Sequence, residues 1–431
     1  MRSFLFIILT ICFTLSAFSQ KELKLLKVED MHSDLDYFYT NLIQTHPYPY
    51  RVISQQEWEK KIDSLKSVIT KPLTVKDYYL LVSELNSYLD AHSKIAAPKK
   101  VRKKMKNPLV LPVFEEDGEK VYFLDSLSNK FRLTTLDDKT PQEIRNFCDD
   151  RYSLLEPLNN PNFLNYVRNY CNITMVQDSV KYTYSDTKGN TYVSFFKRDK
   201  KKDHLKISRE TNFICDSTKS VALMEVNTFM PTKGGYRSNI NDYFSQLKQQ
   251  KIKRLYIDVS CNGGGSLALV NWLVGFFIDN NETTYAGTWT QKFSKQRRTQ
   301  KLDWLAYNEK EGYIQRKSYI TPTSSKPKYK GEVFVIQSRN SFSGAAIFSS
   351  LMQTYAKRCK IVGEEGEVKA FFADPLIFTM PKSKLQFTLS SMFGRFAGKN
   401  KERGAVPDIE FKIYDPQQIF TIEEVEQMIK Q

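Results

Sequence analysis

Two short apolar segments, each followed at once by a turn and a helix-like run, constrain the fold of this chain most. Residues 255–259 lead into Asn262-Gly263-Gly264-Gly265, and residues 333–336 lead into a turn that ends in Ser343-Gly344. A short strand that is apolar on both faces is typical of a sheet covered on both sides. Repeated strand–turn–helix units predict a parallel sheet with packed helices. We therefore expect an α/β core of βαβ units.

The first residues of the chain differ from the rest. Arg2 gives a positive start, residues 4–15 are apolar, and Ala17-Phe18-Ser19 fits the small-x-small rule for cleavage. We predict a signal peptide over residues 1–19, and hence an exported protein, periplasmic or extracellular. The apolar part is too short to span a bilayer comfortably.

The remaining chain divides into three predicted regions, which suits 431 residues of which 41% are hydrophobic and 26% charged. Residues 20–105 are predicted to be helical, since apolar residues recur at helical spacing and Ser54 with Glu57 makes a capping box. Residues 106–210 combine short alternating segments with turn signals, which predicts a small β-rich module. Residues 211–431 hold the βαβ core.

Cysteine and histidine usage gives no sign of a metal site. The chain has six cysteines and four histidines, and none of the cysteines has C-x-x-C spacing. Removal of the predicted signal leaves an odd number of dispersed thiols. We expect no metal and no cofactor.

The chain carries a net charge of +16, with a basic run at residues 99–106. In a cytosolic protein such a run would favour nucleic-acid binding, but export places that partner out of reach. The simpler interpretation is a solvated, lysine-rich linker, and the second is contact with anionic envelope surfaces through charge attraction. The oligomeric state is not indicated by the sequence.

The glycine triplet stands between a strand end and a helix start. Glycines permit positive φ and leave backbone N–H groups unshielded, while a helix N-terminus adds partial positive charge. Such a turn is suited to an oxyanion hole, which stabilises negative charge on a carbonyl oxygen. The triplet lacks the G-x-G-x-x-G layout and the Lys-Ser/Thr pair of nucleotide-binding loops.

A serine at a helix start and a lysine shortly after the next strand are the two parts of a serine/lysine hydrolase. Ser343 and Lys369 stand in this relation, with Ile361-Val362-Gly363 as the strand between them. A serine hydroxyl needs a neighbouring base to become a nucleophile. A lysine acts as that base only when burial lowers its pKa.

Four motifs follow one another along the core: I-D-V-S-C-N-G-G-G at 257–265, S-F-S-G-A-A-I-F at 341–348, I-V-G-E at 361–364 and G-A-V-P-D at 404–408. Together they resemble the I-D-L-R-x-N-G-G-G, S-A-S-A-S-E-I-F, V-V-G-E and G-x-x-P-D motifs of the tail-specific (C-terminal-processing) serine protease family. The resemblance implies a crotonase-like α/β core, a PDZ-like middle module and hydrolysis of polypeptides. The glycine-rich carboxylate-binding loop of PDZ domains is missing from the middle module.

Carried over residue by residue, the resemblance makes Ser343 the nucleophile and Lys369 the base. The N–H of Gly344 and that of Gly263 or Gly264 would form the oxyanion hole. Ala346 stands where many members have glutamate, and Ser260-Cys261 replaces an Arg-x pair.

A second catalytic arrangement stays open. Asp90-Ala91-His92-Ser93 resembles the D-x-H-T turn of a tricorn-like branch of the family. His92 would then be the base, with Glu402 as a distant orienting acid, and histidine needs no large pKa shift for this work. We expect Lys369→Ala to remove turnover and His92→Ala mainly to weaken it; the reverse ranking would favour the tricorn-like mechanism.

The sequence thus predicts an exported serine endopeptidase that cleaves extended or unfolded polypeptides through an acyl-enzyme. The alternative is a catalytically weak or inactive envelope protein that binds peptides or glycans on the same fold. An acyl-CoA hydratase on the related fold is disfavoured, because CoA is cytosolic.

Overall fold

The computed structural model describes residues 25–99, 109–125, 127, 129–151, 163–199, 211–231, 235–278, 283–294, 312–320, 328–365, 372–397, 404–413 and 420–430. Within these residues helices and strands are mixed, which confirms the predicted α/β class. The crotonase-like and PDZ-like assignments stay predictions.

Helices dominate the start of the chain, and strands alternate with helices after it. The α-helices are α1 (Val28–Thr45), α2 (Gln55–Val68), α3 (Val75–Val82), α4 (Pro141–Asp149), α5 (Phe163–Ile173), α6 (Tyr236–Gln249), α7 (Leu267–Val274), α8 (Gly344–Tyr355) and α9 (Ile422–Lys430), and a 3₁₀ helix spans Ser83–Tyr88. The strands are β1 (Lys94–Ile95), β2 (Phe114–Asp117), β3 (Lys120–Leu124), β4 (Lys130–Leu136), β5 (Ser179–Ser185), β6 (Thr191–Lys197), β7 (Asn212–Asp216), β8 (Val221–Glu225), β9 (Arg254–Asp258), β10 (Thr284–Phe293), β11 (Gly312–Ile320), β12 (Glu332–Gln337), β13 (Cys359–Gly363), β14 (Phe372–Thr379), β15 (Gln386–Phe396) and β16 (Ile409–Glu410).

The central sheet has the strand order β16–β13–β12–β9–β8–β7. Its neighbours are parallel except for the antiparallel pair β7–β8. Because β8, β9, β12 and β13 run in one direction, the turns that follow them lie at one edge of the sheet. Open α/β sheets carry their sites at this carboxyl edge.

Alternate residues of the central strands face two different cores. Leu255 and Ile257 pack in one core with residues of α6, α7 and α8, such as Phe244 and Phe348. Tyr256 points to the other core, which includes α9. Burial of each such aliphatic side chain contributes about 1.5–3 kcal/mol. This packing explains why the strand is apolar on both faces at positions 255–257.

A second, antiparallel sheet brings the N-terminal helices to the core. Its strand order is β1–β15–β10–β11, and β14 pairs with β15. Phe378 and Phe387 of this sheet share a buried cluster with Phe38 and Leu42 of α1. Strand β1 pairs with β15, so the turn before β1, which contains His92, is held against that strand.

A third sheet, β2–β3–β4–β5–β6, is an antiparallel meander. It packs against α4 and α5 through its own cluster, which includes Leu136, Ile144 and Val167. The predicted capping box at Ser54 and Glu57 is present at the start of α2. Thr140 and Glu143 form a second capping box at α4.

Within the described residues, no helix combines the length and apolarity that crossing a membrane requires. Cys148, Cys171, Cys215, Cys261 and Cys359 are all free thiols.

Candidate active site

The side chain of Asn262 stabilises the turn after β9 through two hydrogen bonds. This amide accepts the N–H of Gly264 at 2.7 Å and donates to the carbonyl of Val226 at 2.7 Å. The N–H of Gly264 is therefore occupied. The N–H of Gly263 has no acceptor in the described part of the chain.

The glycine turn lies directly against the turn after β12. Gly264 has φ +95°, and a Cβ there would stand 2.7 Å from the nitrogen of Gly344 and 2.8 Å from the Cβ of Ser343. The N–H of Phe342 donates to the carbonyl of Asn262 at 3.0 Å. Only a glycine at position 264 permits this close approach.

Two serines of the second turn hold the two turns together. The Ser341 hydroxyl donates to the carbonyl of Val259 at 2.8 Å and accepts the N–H of Ser338 at 3.0 Å. The Ser338 hydroxyl donates to the carbonyl of Ser260 at 2.5 Å. Both serines are buried. Their hydroxyls serve the scaffold, which explains the serine-rich composition of this turn.

Ser343 differs from these serines. It is half-buried, it stands immediately before α8, and its hydroxyl has no hydrogen-bond partner among the described residues. Its backbone has φ 53° and ψ −115°, a conformation that a residue with a side chain rarely adopts. Strain of this kind costs on the order of 1–3 kcal/mol and clusters at functional sites. Ser343 lies at the helix N-terminus, against the glycine turn.

His92 lies beside this serine turn. Its ring centroid is 4.4 Å from that of Phe342, the residue before Ser343. Its Nδ1 is buried, with no partner in the part of the chain that the structure describes. Burial lowers the pKa of His92, although the nearby Asp90 opposes the shift. A neutral imidazole therefore packs against the residue that precedes the candidate nucleophile.

His46 and Asp90 form a buried pair that the sequence analysis did not identify. The Nε2 of His46 donates to Asp90 at 2.9 Å, because its Nδ1 accepts the N–H of Tyr48 at 3.2 Å. The second oxygen of Asp90 accepts the N–H of His92 at 2.9 Å and the hydroxyl of Ser390 at 2.8 Å. Asp90 thus fixes the backbone of the His92 turn rather than its ring.

The pKa of Asp90 reflects this pairing. Burial alone would raise it, but the hydrogen bond from His46 and the attraction of that ring hold the pKa of Asp90 at about 2. The sequence signal for this pair is the His46-Pro47 turn, which by itself indicates a chain reversal and no chemistry.

A second buried carboxyl group stands beneath the glycine turn. Asp258 ends β9, accepts the N–H of Ser260 at 2.8 Å, and lies opposite Glu225 in the register of β8 and β9. Glu225 in turn accepts from the amide of Asn212 at 2.8 Å. Burial raises the pKa of Asp258 to about 6 despite the hydrogen bonds from Ser260. The turn is therefore anchored on a group that titrates near neutral pH.

Lys369 and Glu402 lie outside the described residues, so their proximity to Ser343 stays a prediction. The described segments that precede Lys369 and follow Glu402 are both hydrogen-bonded to Gln337, at the end of β12. The side-chain amide of Gln337 donates to the carbonyls of Glu364 and Ala405, each at 3.0 Å.

The geometry defines a class of protein. A strained serine lies at the start of a helix, against a glycine turn whose Gly263 N–H meets no acceptor among the described residues. This arrangement is compatible with a serine hydrolase that acts on carbonyl compounds.

Comparison with known proteins narrows this class. Residues 220–411 match the family model described as Peptidase family S41. The tail-specific protease of Haemophilus influenzae is 25% identical over 202 residues, which are 45% of this chain and 25% of that protein. The match thus spans a quarter of the relative's length.

Two solved structures have a similar fold. The crystal structure of mature CPAF has a TM-score of 0.60 at 12% identity and covers 89% of this chain and 92% of that one. Mature CPAF complexed with lactacystin has a TM-score of 0.59 at 12% identity, with 89% and 94% covered. Residues 220–411 are thus similar to peptidase family S41, and the comparisons support the resemblance to tail-specific proteases that the motifs indicated.

Proposed function

We propose that this protein is a serine endopeptidase in which Ser343 attacks the peptide carbonyl and forms an acyl-enzyme. The observation that carries the proposal is the strained backbone of Ser343 against Gly264, with its hydroxyl uncommitted among the described residues. The N–H groups of Gly344 and Gly263 would hold the oxyanion, because that of Gly264 already binds Asn262. Loss of one such donor typically costs about 100- to 1,000-fold in kcat.

For the base we favour His92. Its contact with Phe342 places it at the serine turn, and its lowered pKa keeps it neutral at pH 7. Glu402 is retained as the orienting acid of this arrangement. Lys369 is the alternative base, and the two mechanisms differ in their dependence on pH.

The substrates that we propose are extended or unfolded polypeptides, as the family implies. We retain the division of the chain into a signal peptide over 1–19, a helical region over 20–105, a β-rich module over 106–210 and a catalytic core over 211–431. Export to the periplasm or beyond follows from the predicted signal. Peripheral contact of the basic chain with an anionic envelope surface remains part of the proposal.

A fluorophosphonate probe, which reacts with activated serines, tests the proposal. Wild-type protein should be labelled at Ser343 and should degrade a casein-like substrate, whereas Ser343→Ala should lose both properties. Ser350→Ala, a serine further along α8, is the matched control and should behave as wild type. Equal degradation by Ser343→Ala and wild type would refute the proposal.

The same probe addresses the alternative of a binding protein. Ala346 and the pair Ser260-Cys261, which depart from the family motifs, favour that alternative. Folded wild-type protein that stays unlabelled across a range of pH would assign the binding function instead.

A further inference from the structure

Two adjoining cavities lie at the amino edge of the central sheet, opposite the edge that carries Ser343. The larger, about 620 Å³, is lined by residues before and at the start of β12 and β13, including Val333 and Arg358. The smaller, about 510 Å³, lies against the end of α6 and shares residues 328–331 with the first. β12 has six residues, so roughly 20 Å separate the two edges.

The two cavities are lined by cations and by no acidic residue among those described. Six basic side chains line them: Lys248, Lys251, Lys328, Lys330, Lys357 and Arg358. The remaining lining residues are glycine, aliphatic or aromatic, such as Phe277 and Tyr329.

Four of these six cations have no acidic partner among the described residues. Within the described residues, no ion pair includes Lys248, Lys251, Lys330 or Arg358. Arg358 donates instead to the carbonyl of Lys330 at 2.8 Å. Glu332, the acidic residue next in sequence, is directed to Arg254 at 3.2 Å.

The cluster is more than a consequence of the net charge of +16. Elsewhere on the surface lysines stand beside acids, as Lys181 does with Asp138 and Lys219 with Glu423. A concave site lined by one sign of charge concentrates the opposite ion. Arginine and lysine are also the side chains that bind phosphate oxygens.

We propose that these cavities form a binding site for an anion that carries several phosphate groups. The four cations without an ion pair among the described residues exceed what one phosphate requires, and the combined volume of the cavities accommodates a chain of phosphates. The concave shape favours a linear or small anion over a flat bilayer, which would contact only the rim. Because the site lies at the opposite edge of the sheet, a bound anion leaves the Ser343 cleft open.

Calorimetric titration with inorganic tripolyphosphate tests the proposal on the full chain. Wild type should bind at one saturable site that weakens as salt is raised. Lys330→Glu with Arg358→Glu should weaken binding at least about tenfold, a change of about 1.4 kcal/mol. The double variant Lys248→Glu with Lys251→Glu changes a different part of the chain and should also weaken binding at least about tenfold. If one double variant fails to fold, the other still tests the proposal.

The control carries the same change of charge at a remote place. Lys120→Glu with Lys188→Glu, two exposed lysines at β3 and at the turn between β5 and β6, should leave the affinity within about twofold of wild type. Equal weakening by control and cavity variants, or no saturable binding by wild type, would overturn the proposal. Binding to anionic phospholipid vesicles without binding to tripolyphosphate would assign the surface to a membrane instead. Fluorophosphonate labelling of Ser343 is read separately, so this proposal and the proposed peptidase activity fail independently.

Discussion

The imidazole of His92 packs against the ring of Phe342, with the two centroids 4.4 Å apart. The backbone of Phe342 in turn donates to Asn262 at 3.0 Å. A single phenylalanine thus links a turn from the N-terminal region to the glycine turn of the core. Phe342 immediately precedes Ser343, so the candidate site depends on packing between distant parts of the chain.

The two neighbouring glycines of the turn should respond differently to alanine. Gly264→Ala adds a Cβ 2.7 Å from the nitrogen of Gly344 at a φ of +95°, whereas a Cβ at Gly263 meets nothing within 4 Å. We expect Gly264→Ala to lower kcat/KM about 100-fold, because small displacements of the turn misplace the reacting groups. Gly263→Ala should stay within a few-fold of wild type. Similar kcat/KM values for both variants would contradict the proposed packing.

The pH–rate profile should identify the base. Burial lowers the pKa of His92 below its ordinary value of 6.5, so kcat/KM should rise with pH and level off below about pH 7 as the imidazole loses its proton. The packing of His92 at the serine turn reverses the ranking that the sequence suggested. His92→Ala should remove this rise with pH together with most of the activity, and Lys369→Ala should retain the rise. A profile that persists in His92→Ala and vanishes in Lys369→Ala would make lysine the base.

Asp90 should stabilise the fold in a way that depends on pH. Its pKa of about 2 lies below the ordinary 3.8, so its contribution of about 2 kcal/mol is present above pH 4 and is lost as the pH falls toward 2. Asp90→Asn should lower the free energy of unfolding in urea at pH 7 by about that amount. Asp36→Asn, which breaks the exposed pair with Lys66, should cost less than about 1 kcal/mol. Equal costs would show that the buried pair contributes nothing beyond a surface pair.

Asp258 should have the opposite effect. Its pKa of about 6 lies above the ordinary 3.8, so the stability it contributes is present below pH 4 and is lost as the pH rises through 6. Asp258→Asn keeps an acceptor for Ser260 and removes the titration. From pH 4.5 to pH 7.5 the variant should gain about 2 kcal/mol of unfolding free energy relative to wild type. Asp242→Asn, at an exposed site on α6, should show no such gain.

Local patterns were sufficient to predict much of the architecture. The capping box at Ser54 and the apolar strand at β9 follow from contacts within a few residues, and the structure contains both. The position of Ser343 at a helix start was also predictable, because a strand–turn–helix unit is specified by residues that are close in sequence.

Other features carried no such signal. Strands β10 and β11 were not predicted. β11 alternates between partly buried and exposed residues without an apolar repeat, and β10 is held by pairing on both sides, with β11 and β15. The role of His46 was missed because its partner Asp90 lies far away in the sequence. Pairs of this kind form only when α1 packs against the second sheet.

The sequence by itself determined the α/β class, the two strand–turn–helix units and the serine that begins α8, because hydrophobic spacing and turn chemistry act over short stretches of chain. Only the tertiary structure decided that Gly264 gives its N–H to Asn262, that His92 meets the serine turn, and that Asp90 and Asp258 are buried with opposite pKa shifts. These outcomes depend on which distant segments exclude water together. Desolvation and close packing are properties of the assembled fold, and no local pattern encodes them.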